Sequence, residues 1–233
     1  MTHTVADTAV EAPESDYDPF ALESLQNVHE LDGACRELAP VVYIKKYDYY
    51  AITRYAEIKK ALRDPRTFSS TSRPFYAPSP FRPRILVLED PPEHNRSKGA
   101  VLKILSDENL RQMESYFKDY AEQLVDRLLA DGPVEIDAFH DLAVAFVLKV
   151  FPDVLGLPEE GREALLKFGD AVFNVFGPDS ELQRQKLARG AEGQEWVESK
   201  TAKDLQTEGG IGWKLYQEAE QGKITETEAQ QIL

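Results

Sequence analysis

The sequence predicts a mainly α protein with a small β-sheet near its N-terminus. Three observations carry that expectation. Two short β-branched and aromatic runs, Val41-Val42-Tyr43-Ile44 and Tyr49-Tyr50-Ala51-Ile52, stand close enough to form a hairpin. Apolar residues recur at helical spacing through most of the chain beyond Pro92. No internal repeat points to a solenoid or propeller.

In chain order, residues 1–16 are rich in Thr, Ala, Glu and Pro without periodicity and read as a disordered tail, leaving 17–233 as one domain. A helix is expected from about Leu25 to Leu38, ended by Pro40. The hairpin follows, then a short helix from Tyr55 to Leu62. Residues 68–92 hold six prolines, among them Pro74, Pro78 and Pro80, with Phe75, Tyr76 and Phe81, which is too apolar for a plain linker.

Beyond them, Leu110, Met113, Phe117, Tyr120, Leu124 and Leu128 mark a long helix that starts after Ser106. Val134–Ile136 reads as a short strand, and Phe139–Leu155 as a central helix buried on all sides. Helices are also expected over 158–176, 180–203 and 213–220. Thr225 and Glu228 fit a capping box. The helix it opens runs about two turns to Leu233, which reads as truncation inside an element or as a frayed final turn.

Composition narrows the function classes. The content is 42% hydrophobic and 29% charged, ordinary for a globular protein, and no run is long enough to cross a bilayer. One cysteine excludes a disulfide framework, and the first Lys or Arg is Arg36, so no secretory signal is expected and the reading is cytoplasmic, with no membrane association. Net charge is −14; residues 1–37 carry nine acids, whereas 41–113 carry fourteen Lys/Arg against eight Asp/Glu. Such a balance disfavours nucleic acid. The basic stretch is either a solvated surface or a site for a small anion or an acidic protein.

The chemistry concentrates in Asp90-Pro91-Pro92-Glu93-His94-Asn95-Arg96-Ser97-Lys98. The prolines suit a helix's first turn. His94, Lys98, Val101 and Leu105 then share one face, which its apolar end directs inward. Two inward cations require an anion; alternatively His94 caps a turn and Lys98 extends its stem to water. Arg96 and Lys103 lie on another face, exposed.

Asp-Pro-Pro-x-His at a helix start resembles the C helix of the cytochrome P450 family, where this His and a basic residue four positions on bind the haem propionates. The family usually has Arg there; this chain has Lys98. The resemblance runs from about Asp18 to Leu233, through Arg54-Tyr55-Ala56-Glu57-Ile58, Asp64-Pro65-Arg66-Thr67-Phe68 and Phe151-Pro152-Asp153. It implies the N-terminal portion of that fold, helices A to H, truncated at the start of the I helix. Pro80-Phe81-Arg82-Pro83 and Val172-Phe173-Asn174-Val175-Phe176 are similar to a bacterial branch that oxidises para-substituted benzoates. That likeness assigns Arg82 to a substrate carboxylate and Leu88, Val172, Phe173 and Phe176 to the substrate pocket, with Ile85 where the branch has a serine.

The resemblance further implies haem b in a full-length, monomeric parent, and a ferredoxin-type electron donor on a basic face near Arg96, Lys103 and Arg111. The acid–alcohol pair and the thiolate ligand that the family uses are absent: Cys35 is the sole cysteine and lies in an expected N-terminal helix. The four histidines, His3, His29, His94 and His140, lack metal-pair spacing. Two classes of function follow: an oxygen- and haem-dependent monooxygenase acting on a small aromatic acid, of which this chain is an inactive fragment, or a non-catalytic helical protein, whether a degenerate gene product or a small-acid binder.

Overall fold

The computed structural model describes residues 11–71 and 86–233. The chain divides into two compact units, 1–76 and 77–233, where the sequence is read as one domain from residue 17.

In the first unit, β2 (Val41–Ile44) and β3 (Tyr49–Ile52) form the expected antiparallel hairpin, with Val41 opposite Ile52 and Ile44 opposite Tyr49. Alternation places Val42 and Ile44 on the buried side. A 3-10 turn, Lys45–Tyr47, closes it, and Asp48 takes the left-handed conformation (φ 53°) while accepting a 2.7 Å bond from Tyr43 Oη. Glu14 and Ser15, placed in a tail from sequence, instead form β1, parallel to β2. Lys45 pairs with Glu14 and Asp16, and Lys46 with Asp18, so the hairpin lysines draw in acids of the N-terminal segment. The expected helix over 25–38 is two, α1 (Leu22–Gln26) and α2 (Val28–Leu38), separated at Asn27. Next comes α3 (Tyr55–Ala61).

In the second unit, α4 (Glu93–Ile104), α5 (Asp107–Leu128), α6 (Ala145–Leu155), α7 (Ala164–Asn174), α8 (Glu181–Lys200), α9 (Ile211–Glu220) and α10 (Glu226–Ile232) follow in order. Val134–Ile136 is irregular rather than a strand: three residues without a pairing edge gain no ladder. The helix expected over 139–155 opens with a π-helical segment, Ala138–Val144, capped by Asp137 on the Phe139 and His140 amides. It is not buried all round. Val150, Pro152 and Leu155 are buried, but Phe139, Val147 and Phe151 face outward.

Two interfaces organise this unit. Helices α7 and α8 pack closely because Gly193 is a glycine: a Cβ there would stand 2.6 Å from the Ala164 carbonyl oxygen and the Phe168 nitrogen. Helices α4, α9 and α10 share a core of Ala100, Ile104, Leu215, Tyr216, Ile224 and Ala229. The capping box expected at Thr225 forms in full, and α10 is held by packing that its length alone would not provide.

Candidate functional site

The sequence-predicted site is centred on α4. Its prolines sit one position earlier than expected: Pro92 is the N-cap and helical residues begin at Glu93. His94 and Lys98 remain one turn apart, but they do not mark the inward face. The packed stripe is Ser97, Ala100 and Ile104, one residue back from the expected one and so about 100° round the helix, with Val101, shared by both, partly buried at its edge. Ala100 packs into the core shared with α9, a contact that a search for large apolar residues passes over. His94 is half-buried and Lys98 exposed, so Lys98 is solvated and carries no desolvation penalty. Among the described residues neither is ion-paired with a carboxylate.

The expected partner face is largely neutralised. Both terminal nitrogens of Arg96 donate to the Glu228 carboxylate, the Nη1–Oε2 distance being 2.8 Å, and Lys103 pairs with the buried Glu218. Arg96 and Lys103 are thus internal latches between α4 and α9–α10. Arg111 is exposed on α5. The Arg96 contact, with the Thr225 amide, overcomes burial and holds the Glu228 carboxyl at about 2.

Of the substrate residues expected, Arg82 lies outside the described residues, as does Ile85. Leu88 is buried; Val172 packs beside Ala171 and Val175 on the α7–α8 interface. Phe173 is 80% exposed and Phe176 partly so.

A buried polar centre escaped the sequence reading. Arg162 bonds the carbonyls of Pro158 (2.8 Å), Leu157 (2.5 Å) and Lys149 (3.2 Å) and pairs with Asp153 at 2.7 Å. It also reaches the Leu148 carbonyl, at 3.5 Å, which Pro152 leaves without its helical N–H partner. Burial pushes the Asp153 carboxyl up, but bonds from Tyr116, Arg162 and Lys149 outweigh it and hold it low. Tyr116 is raised to about 12 by burial and by Asp153. The one sequence signal was Pro152 inside a helix.

Cys35 lies elsewhere, in the first unit, beside Tyr17, Asp32, Ile44 and Tyr49 in the wall of a cleft of about 250 Å³. Burial pushes its thiol up, against a bond from Ser15. A thiolate ligand needs the opposite, a stabilised anion. The His94–Lys98 pair suits the carboxylates of a haem, but the residues present do not fit thiolate ligation of its iron. No group of His, Cys, Asp and Glu among the described residues could hold a metal ion, and no helix there is long and apolar enough to cross a membrane.

The first unit holds a three-stranded sheet, and the second is helical, with α4 starting at Pro-Pro-x-His. No protein-family model matches the chain. It is 39% identical over 222 residues to cytochrome p450 CYP199A2 of Rhodopseudomonas palustris, covering 93% of this chain and 54% of that protein. It is 28% identical over 183 residues to biflaviolin synthase CYP158A1 of Streptomyces coelicolor, covering 76% of this chain and 44% of that one. Full-length CYP116B46 from Tepidiphilus thermophilus superposes with a TM-score of 0.73 at 24% identity, over 94% of this chain and 32% of that chain. The haem domain of Acinetobacter radioresistens CYP116B5 does so with 0.73 at 22%, over 93% and 56%. The chain belongs to the cytochrome P450 superfamily, and it spans about half the length of the curated relatives it matches.

Proposed function

We propose that these 233 residues are part of a longer, cytoplasmic, monomeric haem-thiolate monooxygenase that hydroxylates or O-demethylates a small aromatic carboxylic acid. The observation that carries the reading is the 39% identity to CYP199A2 along 93% of the chain. Sequence length and chemistry point the same way: the chain spans 54% of that relative, and its single cysteine is a buried thiol in α2. In the longer protein, haem b with a cysteine ligand supplies oxygen activation. The residues present contribute binding and positioning: His94 and Lys98 to the haem propionates, Arg82 to the substrate carboxylate, Leu88, Val172, Phe173 and Phe176 to its ring. A ferredoxin-type protein delivers the electrons. Taken alone, the 233-residue chain is inactive.

Reading the coding sequence past the Leu233 codon tests this. An open frame that encodes a cysteine in a Gly/Phe-rich loop is expected; a stop codon there contradicts it and leaves a non-catalytic helical protein. For the substrate, 4-methoxybenzoate should bind the longer protein at least ten times more tightly than its neutral analogue 4-methoxytoluene, and Arg82→Leu should abolish that preference. Equal affinities in the unsubstituted protein would remove the aromatic-acid assignment while leaving the family intact.

A further inference from the structure

The cleft of about 250 Å³ in the first unit combines two kinds of lining. Ile44 and Ile52 of the hairpin, Ile58 of α3 and the ring of Tyr49 make it apolar on one side. Helix α2 contributes Asp32 and Arg36. These two stand one turn apart, the spacing at which opposite charges on a helix ordinarily pair. They do not pair here. Asp32 accepts a 2.9 Å bond from Tyr17 Oη, and the Arg36 guanidinium lies back along α2 near Gly33. Among the described residues the Arg36 side chain has no hydrogen-bond or ion-pair partner, and Asp32 has no cationic one. Burial and Asp32 push the Tyr17 phenol up to about 12, so it stays a donor and occupies one carboxylate oxygen, leaving the other for a ligand.

We propose that this cleft binds a free α-amino acid with a large apolar or aromatic side chain. Asp32 takes its ammonium, Arg36 its carboxylate, and the isoleucines with the Tyr49 ring take its side chain. A simple acid would bring its negative charge beside Asp32, and a simple amine its positive charge beside Arg36. A zwitterion meets both, whereas either terminus of a peptide carries only one of the two charges. The volume lies below the roughly 300–1,000 Å³ of pockets that enclose drug-sized ligands, which suits an occupant the size of one amino acid. No residue assigned above to haem or to the aromatic substrate lines the cleft, so the proposal does not depend on the catalytic reading.

The test is calorimetric titration of L-phenylalanine into the 233-residue chain, with 3-phenylpropanoate, which lacks the ammonium, and phenethylamine, which lacks the carboxylate, as competitors. Expected are saturable binding of L-phenylalanine and displacement by either analogue only at about tenfold or greater excess. Arg36→Gln should lower the affinity for L-phenylalanine about tenfold or more without weakening phenethylamine. Asp32→Asn, which keeps an acceptor for Tyr17, should do the same without weakening 3-phenylpropanoate. Circular dichroism should be unchanged in both variants; if either unfolds, the competition on the unsubstituted chain still decides. The proposal is overturned if L-phenylalanine does not bind, if either analogue displaces it at equal concentration, or if a folded Arg36→Gln or Asp32→Asn variant binds it as the unsubstituted chain does.

Discussion

Arg96 on α4 and Glu228 on α10 meet in a two-point ion pair across 132 residues of sequence, and the same carboxylate accepts the Thr225 amide at 2.7 Å. One side chain therefore closes the capping box of α10 and ties that helix to α4. Because its folded pKa of about 2 lies below the ordinary 4.5, Glu228 contributes stability above pH 4.5 and loses it as pH falls toward 2. The Arg96 side chain is 44% exposed, so solvent screening reduces the contribution to about 1–2 kcal/mol. In urea titrations Glu228→Gln should be destabilised by that amount at pH 7 and should converge on the unsubstituted chain near pH 2.

Arg162 should matter more. Its removal strands the Asp153 carboxylate and several carbonyls in the protein interior. Arg162→Met should lose about 3–5 kcal/mol by denaturant unfolding. A loss under 1 kcal/mol would mean that the site rehydrates.

Gly193→Ala places a methyl group against backbone on α7 rather than against a flexible side chain. A loss of about 1–3 kcal/mol is expected. Gly99→Ala, in open space on α4, should be neutral or slightly stabilising.

Val147 and Phe151 stand one turn apart on the outward side of α6. Exposed apolar neighbours of this kind promote self-association. A V147K/F151K variant should sediment as a monomer at concentrations where the unsubstituted chain aggregates, with its melting temperature unchanged. A fall in melting temperature would show that the two residues pack inside the fold.

The hairpin was legible because β-branched and aromatic runs flank a tight polar turn, and the capping box because its two residues carry their own geometry. The α4 face was misread because Ser97 and Ala100, which are buried on it, look neutral in a hydropathy pattern. Phe139–Leu155 was read as wholly buried because an apolar sequence reports preference for burial, not the presence of a covering element. Arg162 was invisible in one dimension: its partners are mainly backbone carbonyls that Pro152 and the end of α6 bring within reach.

The central claim, a portion of the cytochrome P450 fold without an iron ligand of its own, is most directly tested by the reduced carbon monoxide difference spectrum of the 233-residue chain after incubation with haem. No thiolate-type Soret band is expected, because the Cys35 thiol is buried in α2 and its protonated form is favoured. A thiolate-type band that disappears in Cys35→Ala would contradict the account.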